Sequence, residues 1–139
     1  MQPKTYRYDR LIKSEDLNHH RTLFAGRCAE WFVEAGFIAV ASVLPAKNIV
    51  CLKIHGLAFT QPLTTGDIAC FESKIAYTGT SSIKVYVVLK RDKDDDPVVE
   101  GFITFVHVDD DGNAQPHHIT LDLVDPLDLN LNQRAANLR

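Results

Sequence analysis

With 139 residues and a formal net charge of −3, the chain has the length of one domain that buries roughly two thirds of its unfolded surface. It lacks the basic excess that supplies most affinity for nucleic acid. Three cysteines, odd in number and without a CxxC pair, build neither a disulfide framework nor a structural zinc site. The opening "MQPKTYRYDRLIK" has no apolar leader core, and no apolar stretch approaches a membrane span. A reducing cytoplasm is the expected compartment, with no membrane anchor and no nucleic-acid partner.

In chain order, residues 6–12 read as a strand at a sheet edge. The stretch "DLNHHRTLFAGRCAEWFVEAG" then passes from polar hydrogen-bonding groups to nearly continuous apolar residues. Its apolar part, extended over 23–44, predicts one helix covered on most sides and roughly 33 Å long. Arg27, Glu30 and Glu34 fall three and four residues apart, so they share one helix face. After Pro45 four β-rich runs follow, at 49–60, 68–77, 82–91 and 98–108, and they predict consecutive antiparallel strands. In the third, Ile83, Val85, Val87 and Leu89 point one way while Lys84, Tyr86, Val88 and Lys90 point the other. The connectors "QPLTTGD", "TGTS", "KDDDP" and "DDDGN" carry turn residues. Residues 1–120 therefore form a single domain, and 121–139 an extended arm or frayed helix. The expected class is α+β, with an antiparallel sheet wrapped around one long central helix. A five-stranded sheet has an open edge, which a second copy of the chain would cover.

Several chemistries are unsupported. There is no GxSxG elbow, no Walker A loop and no GxGxxG. "DDDG" at 109–112 lacks the closing glutamate of a calcium loop. The pairs His19 with His20 and His117 with His118 project to opposite sides of extended chain, so no metal site is expected. Cys28 reads as a small hydrophobe. Glu34, set among Val33, Ala35 and Phe37, risks losing solvent, which raises a carboxylate's pKa and suits a general base. The competing reading is a solvated stripe in which Arg27 pairs with Glu30 and Glu34 faces water. Asn18 reads first as a turn or capping residue.

Asp16, Asn18, Phe24, Gly26 and Glu34 stand in the order Asp-x-Asn, aromatic, glycine, helical acid. "FTQPLTTGDI", "YTGTSSIKV" and "GFITFVHVDDDG" follow without large gaps. In this order and spacing, from residue 11 to about 116, the chain resembles the hotdog-fold acyl-CoA thioesterases. The resemblance implies the hotdog fold and hydrolysis of an acyl-CoA thioester to free acid and coenzyme A, with no added cofactor. It implies that the backbone N–H groups of Ala25 and Gly26 polarise the thioester carbonyl. Glu34 would then activate water or attack directly, and Asn18 would orient the water or the thioester. It places Asn18 of one subunit opposite Glu34 of the next in a homodimer or higher homo-oligomer. Phe24, Phe59 and the turn residues Gly79, Thr80 and Ser81 would meet the substrate. The chain departs from the pattern at Ala25 and Arg21, where glycines are usual. At Val33, the commonest carboxylate position, Glu34 follows one residue late and about 100° further round the helix. Two alternatives belong beside this reading: a hotdog hydratase or dehydratase using His20 with Glu34, and a non-catalytic acyl-CoA binding module, which Val33 favours.

Overall fold

The structure, a computed structural model, describes residues 1–139. Five strands and two helices follow one another: β1 (Thr5–Leu11), α1 (Ala25–Ala41), β2 (Ile49–His55), β3 (Ile68–Thr78), β4 (Ser82–Arg91), β5 (Pro97–His107) and α2 (Pro126–Ala136). The strands form one antiparallel sheet in the order β1-β3-β4-β5-β2. Only β3, β4 and β5 make the consecutive meander that the spacing predicts. The second strand instead crosses to the far edge, where Ile49 meets His107 and His55 meets Phe102. It also stops at His55 rather than running to residue 60. Gly56 turns the chain with a φ of 81°, a conformation open to glycine, and the ladder ends there.

The central helix is 17 residues long, about 25 Å at 1.5 Å per residue, and shorter than its apolar composition suggests. Leu23 is held outside it: it bridges to Leu17, and its N–H donates to the carbonyl of Leu63 at 2.7 Å. At the other end Val43 and Leu44 both donate to the Val40 carbonyl, and Pro45 cannot continue the helix. On the sheet side, Trp31, Phe32, Ala35, Ala39 and Val40 are buried against Phe71, Ile75, Val85, Val87, Leu89, Ile103 and Phe105. Gly36 sets the closeness of that contact. A Cβ added there would lie 2.9 Å from Ile103 Cδ1 and 3.3 Å from Val87 Cγ2.

The alternation read in β4 is the one observed. Ile83, Val85, Val87 and Leu89 join the core under α1. Lys84 and Tyr86 face α2, which lies across the opposite face of the sheet. There Ala135 packs with Ala76 and Phe102, and Arg134 stacks on the Tyr86 and Phe102 rings. Lys84 Nζ donates to the Ala135 carbonyl at 2.9 Å, at the negative end of the helix dipole. The N-terminus of α2 is capped by Asp125, which accepts from Leu127 N at 2.8 Å, with Pro126 in the first turn.

Candidate active site

Residues 16–24 form a tightly bonded loop that delivers the chain to α1. Asp16 is buried at its base, accepting from Lys13 N at 2.9 Å and from Arg27 Nη1 at 2.8 Å. Its carbonyl accepts from Phe24 N at 2.9 Å. Arg27 therefore pairs back to the loop and not with Glu30. Two residues on, Asn18 Oδ1 accepts from His20 N at 2.9 Å and Thr22 N at 3.2 Å, while its Nδ2 donates to Thr22 Oγ1 at 3.1 Å. The amide side chain thus shapes the turn, as the local reading expects.

The loop ends at a helix N-terminus with no side-chain cap, because position 24 is phenylalanine. The N–H groups of Ala25 and Gly26 consequently have no intrahelical acceptor and carry the positive end of the helix dipole. Gly26 leaves room for the Phe24 ring, since a Cβ there would lie 2.6 Å from Phe24 Cε2. Beside this terminus lies a cavity of about 310 Å³ whose walls include Asn18, Thr22, Ala25, Cys28, Phe59 and Leu63. Of the residues expected at a site, Asn18, Ala25 and Phe59 share this cavity within one protomer, and Gly26 adjoins it. Cys28 reaches the same wall, but burial pushes its thiol up to about 12, far from the thiolate a nucleophile needs.

Three expected contacts lie elsewhere. Gly79, Thr80 and Ser81 form the β3–β4 turn, tied down by Gly79 N to Ser82 O, His117 N to Thr80 O and His107 N to Ser81 O. They do not line this cavity. His20 sits in the loop before the first turn of α1, whereas Glu34 sits in its third.

Glu34 is exposed and opens into a second, apolar cleft of about 430 Å³ with Tyr8, Val33, Phe37 and Ile38. It is nine residues along the helix from Ala25, about 13 Å of axial rise. The carboxylate does not simply face water, because the Tyr8 hydroxyl donates to Glu34 Oε2. Arg10 Nη1 in turn donates to Tyr8 Oη at 2.7 Å, and the Arg10 guanidinium stacks 4.8 Å from the Trp31 ring. Burial, and then the bond to Glu34, push the Tyr8 phenol above its ordinary range. Sequence reasoning missed Tyr8 and Arg10. The available signal was parity: Tyr6, Tyr8 and Arg10 alternate with exposed neighbours on β1, so they project toward α1. No group of three or more His, Cys, Asp or Glu is placed to hold a metal ion, and no helix is long and apolar enough to cross a membrane.

A long helix packed in the face of a five-stranded antiparallel sheet is the architecture of the hotdog class of proteins. The family model for the thioesterase superfamily matches residues 20–98, from the loop before α1 into the start of β5. The chain belongs to the thioesterase superfamily. Among curated proteins it is 28% identical over 105 residues to YkhA of Bacillus subtilis, named an uncharacterized acyl-CoA thioester hydrolase. That match covers 73% of this chain and 60% of the relative's length. It is 24% identical over 116 residues to the acyl-CoA thioester hydrolase YciA of Salmonella typhimurium, covering 76% and 84%. Among solved structures, an acyl-CoA hydrolase from Staphylococcus aureus, in complex with butyryl coenzyme A, coenzyme A and coenzyme A disulfide, superposes with a TM-score of 0.83 at 26% identity. The superposition covers 95% of this chain and 79% of that one.

Proposed function

We propose that the protein hydrolyses an acyl-CoA thioester to a free carboxylic acid and coenzyme A. The observation that carries this reading is the pair of uncapped N–H groups at Ala25 and Gly26, aimed from a helix N-terminus beside a cavity of about 310 Å³, in a chain of the thioesterase superfamily. Such donors stabilise the oxyanion that forms when a thioester carbonyl is attacked. Water is the attacking group. Glu34 takes its proton, the new C–O bond forms, the C–S bond breaks, and the proton passes to the departing coenzyme A thiolate. Asn18 orients the water or the thioester.

Asn18 and Glu34 open into separate clefts of one protomer, so the two act together across a subunit boundary. The exposed apolar side chains Val50, Leu52 and Ile54 on edge strand β2 suit pairing with a second copy, in a homodimer or higher homo-oligomer. Phe24 and Phe59 flank the acyl thioester, and Gly79, Thr80 and Ser81 of a neighbouring subunit contact the pantetheine arm. No cofactor takes part, and the proposed compartment is the cytoplasm.

A panel of acyl-CoA thioesters with a thiol-detecting assay tests this directly. The native protein releases free thiol. Glu34→Gln lowers kcat roughly 100-fold or more, in the range for loss of a general base, and Asn18→Ala lowers it about tenfold. Full activity in both variants would reject the site assignment while leaving the reaction class standing. Conversion of the acyl chain without thiol release would point to a hydratase or dehydratase.

A second reading is favoured by the engagement of Glu34 with Tyr8 and by Val33 in the neighbouring position. Glu34 then acts as a structural anchor, and the chain binds acyl-CoA without turnover. Saturable binding of coenzyme A with no thiol release by the native protein is its signature.

A further inference from the structure

Resting on the acyl-CoA reading above, we propose that Arg21 is the side chain that receives the phosphate groups of coenzyme A at the rim of the cavity. Three observations converge on it. Arg21 stands between the two cavity walls: its N–H donates to the Asn18 carbonyl at 3.0 Å, and its own carbonyl accepts from Thr64 Oγ1 at 3.0 Å. Asn18 and Thr22 on one side, and Pro62 and Leu63 on the other, line the cavity itself.

Arg21 is also the one uncommitted cation among the arginines of this loop, of the first turn of α1 and of the opposite wall. Arg27 is taken by Asp16 at 2.8 Å. Arg91 is spent on the Pro62 carbonyl at 2.7 Å and on Asp67 and Asp94. The Arg21 side chain is exposed and has no acidic partner. In a chain of net charge −3, a free guanidinium is what a polyanionic substrate needs at the entrance, because its planar fork matches phosphate oxygens.

The third observation is conformational. Arg21 has a φ of 63°, the left-handed region where a Cβ is penalised and glycine is not. Glycine would fit the turn with less strain and would carry no charge. An exposed arginine held there at a steric cost, on the lip of a candidate site, is the pattern of strain retained for function.

Strain and charge predict opposite signs in one variant. Arg21→Gly raises Tm by roughly 2–4 °C as the left-handed penalty is relieved. The same change weakens binding of coenzyme A, measured by calorimetry, about fivefold, the scale of one exposed charge pair. KM for an acyl-CoA rises in parallel, and the difference from the native protein shrinks at high salt. Turnover of the matching N-acetylcysteamine thioester, which has no phosphate, is unchanged. Arg21→Lys keeps the charge but loses the planar fork, and restores only part of the affinity.

A rise in Tm with unaltered coenzyme A affinity overturns the proposal and leaves Arg21 merely strained. Equal losses on both thioesters also overturn it, because the effect then lies in the loop and not in phosphate recognition. If the native protein binds no coenzyme A at all, the acyl-CoA reading fails and this assignment fails with it.

Discussion

The Glu34 carboxylate receives the Tyr8 hydroxyl, and that hydroxyl receives Arg10 at 2.7 Å. A cation behind the phenol polarises its O–H bond toward the carboxylate, so one oxygen of Glu34 is held and the other stays available. If Glu34 is the base, Tyr8→Phe lowers kcat about tenfold with little change in KM. In a Glu34→Gln background the same substitution adds nothing, which a double-mutant cycle measures directly. The local sequence showed why a carboxylate at position 34 is unusual, since its chain neighbours are apolar. It did not show what restrains it. The restraint comes from a strand more than twenty residues earlier, visible beforehand only as alternating parity on β1. Asn18 illustrates the converse: its turn-forming role was legible locally because every partner of its side chain lies within four residues.

At the scale of elements, α1 sits on the sheet at a distance set by a missing side chain. Gly36→Val places atoms where Ile103 Cδ1 and Val87 Cγ2 already lie, and overpacking of this kind destabilises by about 1–3 kcal/mol. Urea unfolding should show that loss as a lower midpoint with an unchanged slope. Periodicity and composition revealed this helix, and the alternation of β4 revealed which of its residues meet it. The ends of α1 were less legible. Leu23 belongs by composition to the helix and by hydrogen bonding to a loop, because its N–H is claimed by Leu63, forty residues away. The position of β2 was illegible for a related reason. A strand's composition announces that it will pair, but consecutive strands are only usually neighbours, and the choice of β5 over β3 depends on contacts that no local pattern encodes.

For the whole molecule, the two faces of the sheet are treated differently. The face under α1 is a closed core, the opposite face is roofed by α2, and the β2 edge is left with Val50, Leu52 and Ile54 exposed. An apolar edge of this kind is a template for a second chain. Leu52→Lys should therefore move the protein to a smaller assembly in sedimentation velocity. Where Asn18 and Glu34 act across subunits, thioester hydrolysis should fall in the same proportion as the assembled fraction. The open sheet edge and the resemblance of ordered motifs both point to such an assembly in the sequence, whereas the segment that forms the α2 roof reads there only as an arm or frayed helix. Its caps, Asp125 and Pro126, were present in the string, but its weak apolar pattern concealed the face it presents to the sheet.

The placement of β2 beside the last strand also bears on how the polypeptide is made. About forty residues separate the end of β2 from the start of β5, so on a ribosome adding roughly 5–20 residues per second the inner backbone edge of β2 waits a few seconds for its mate. Arrival of the final strand pairs one side of β2 and leaves Val50, Leu52 and Ile54 uncovered, so escape from aggregation then rests on a second copy of the chain or on a chaperone that shields them.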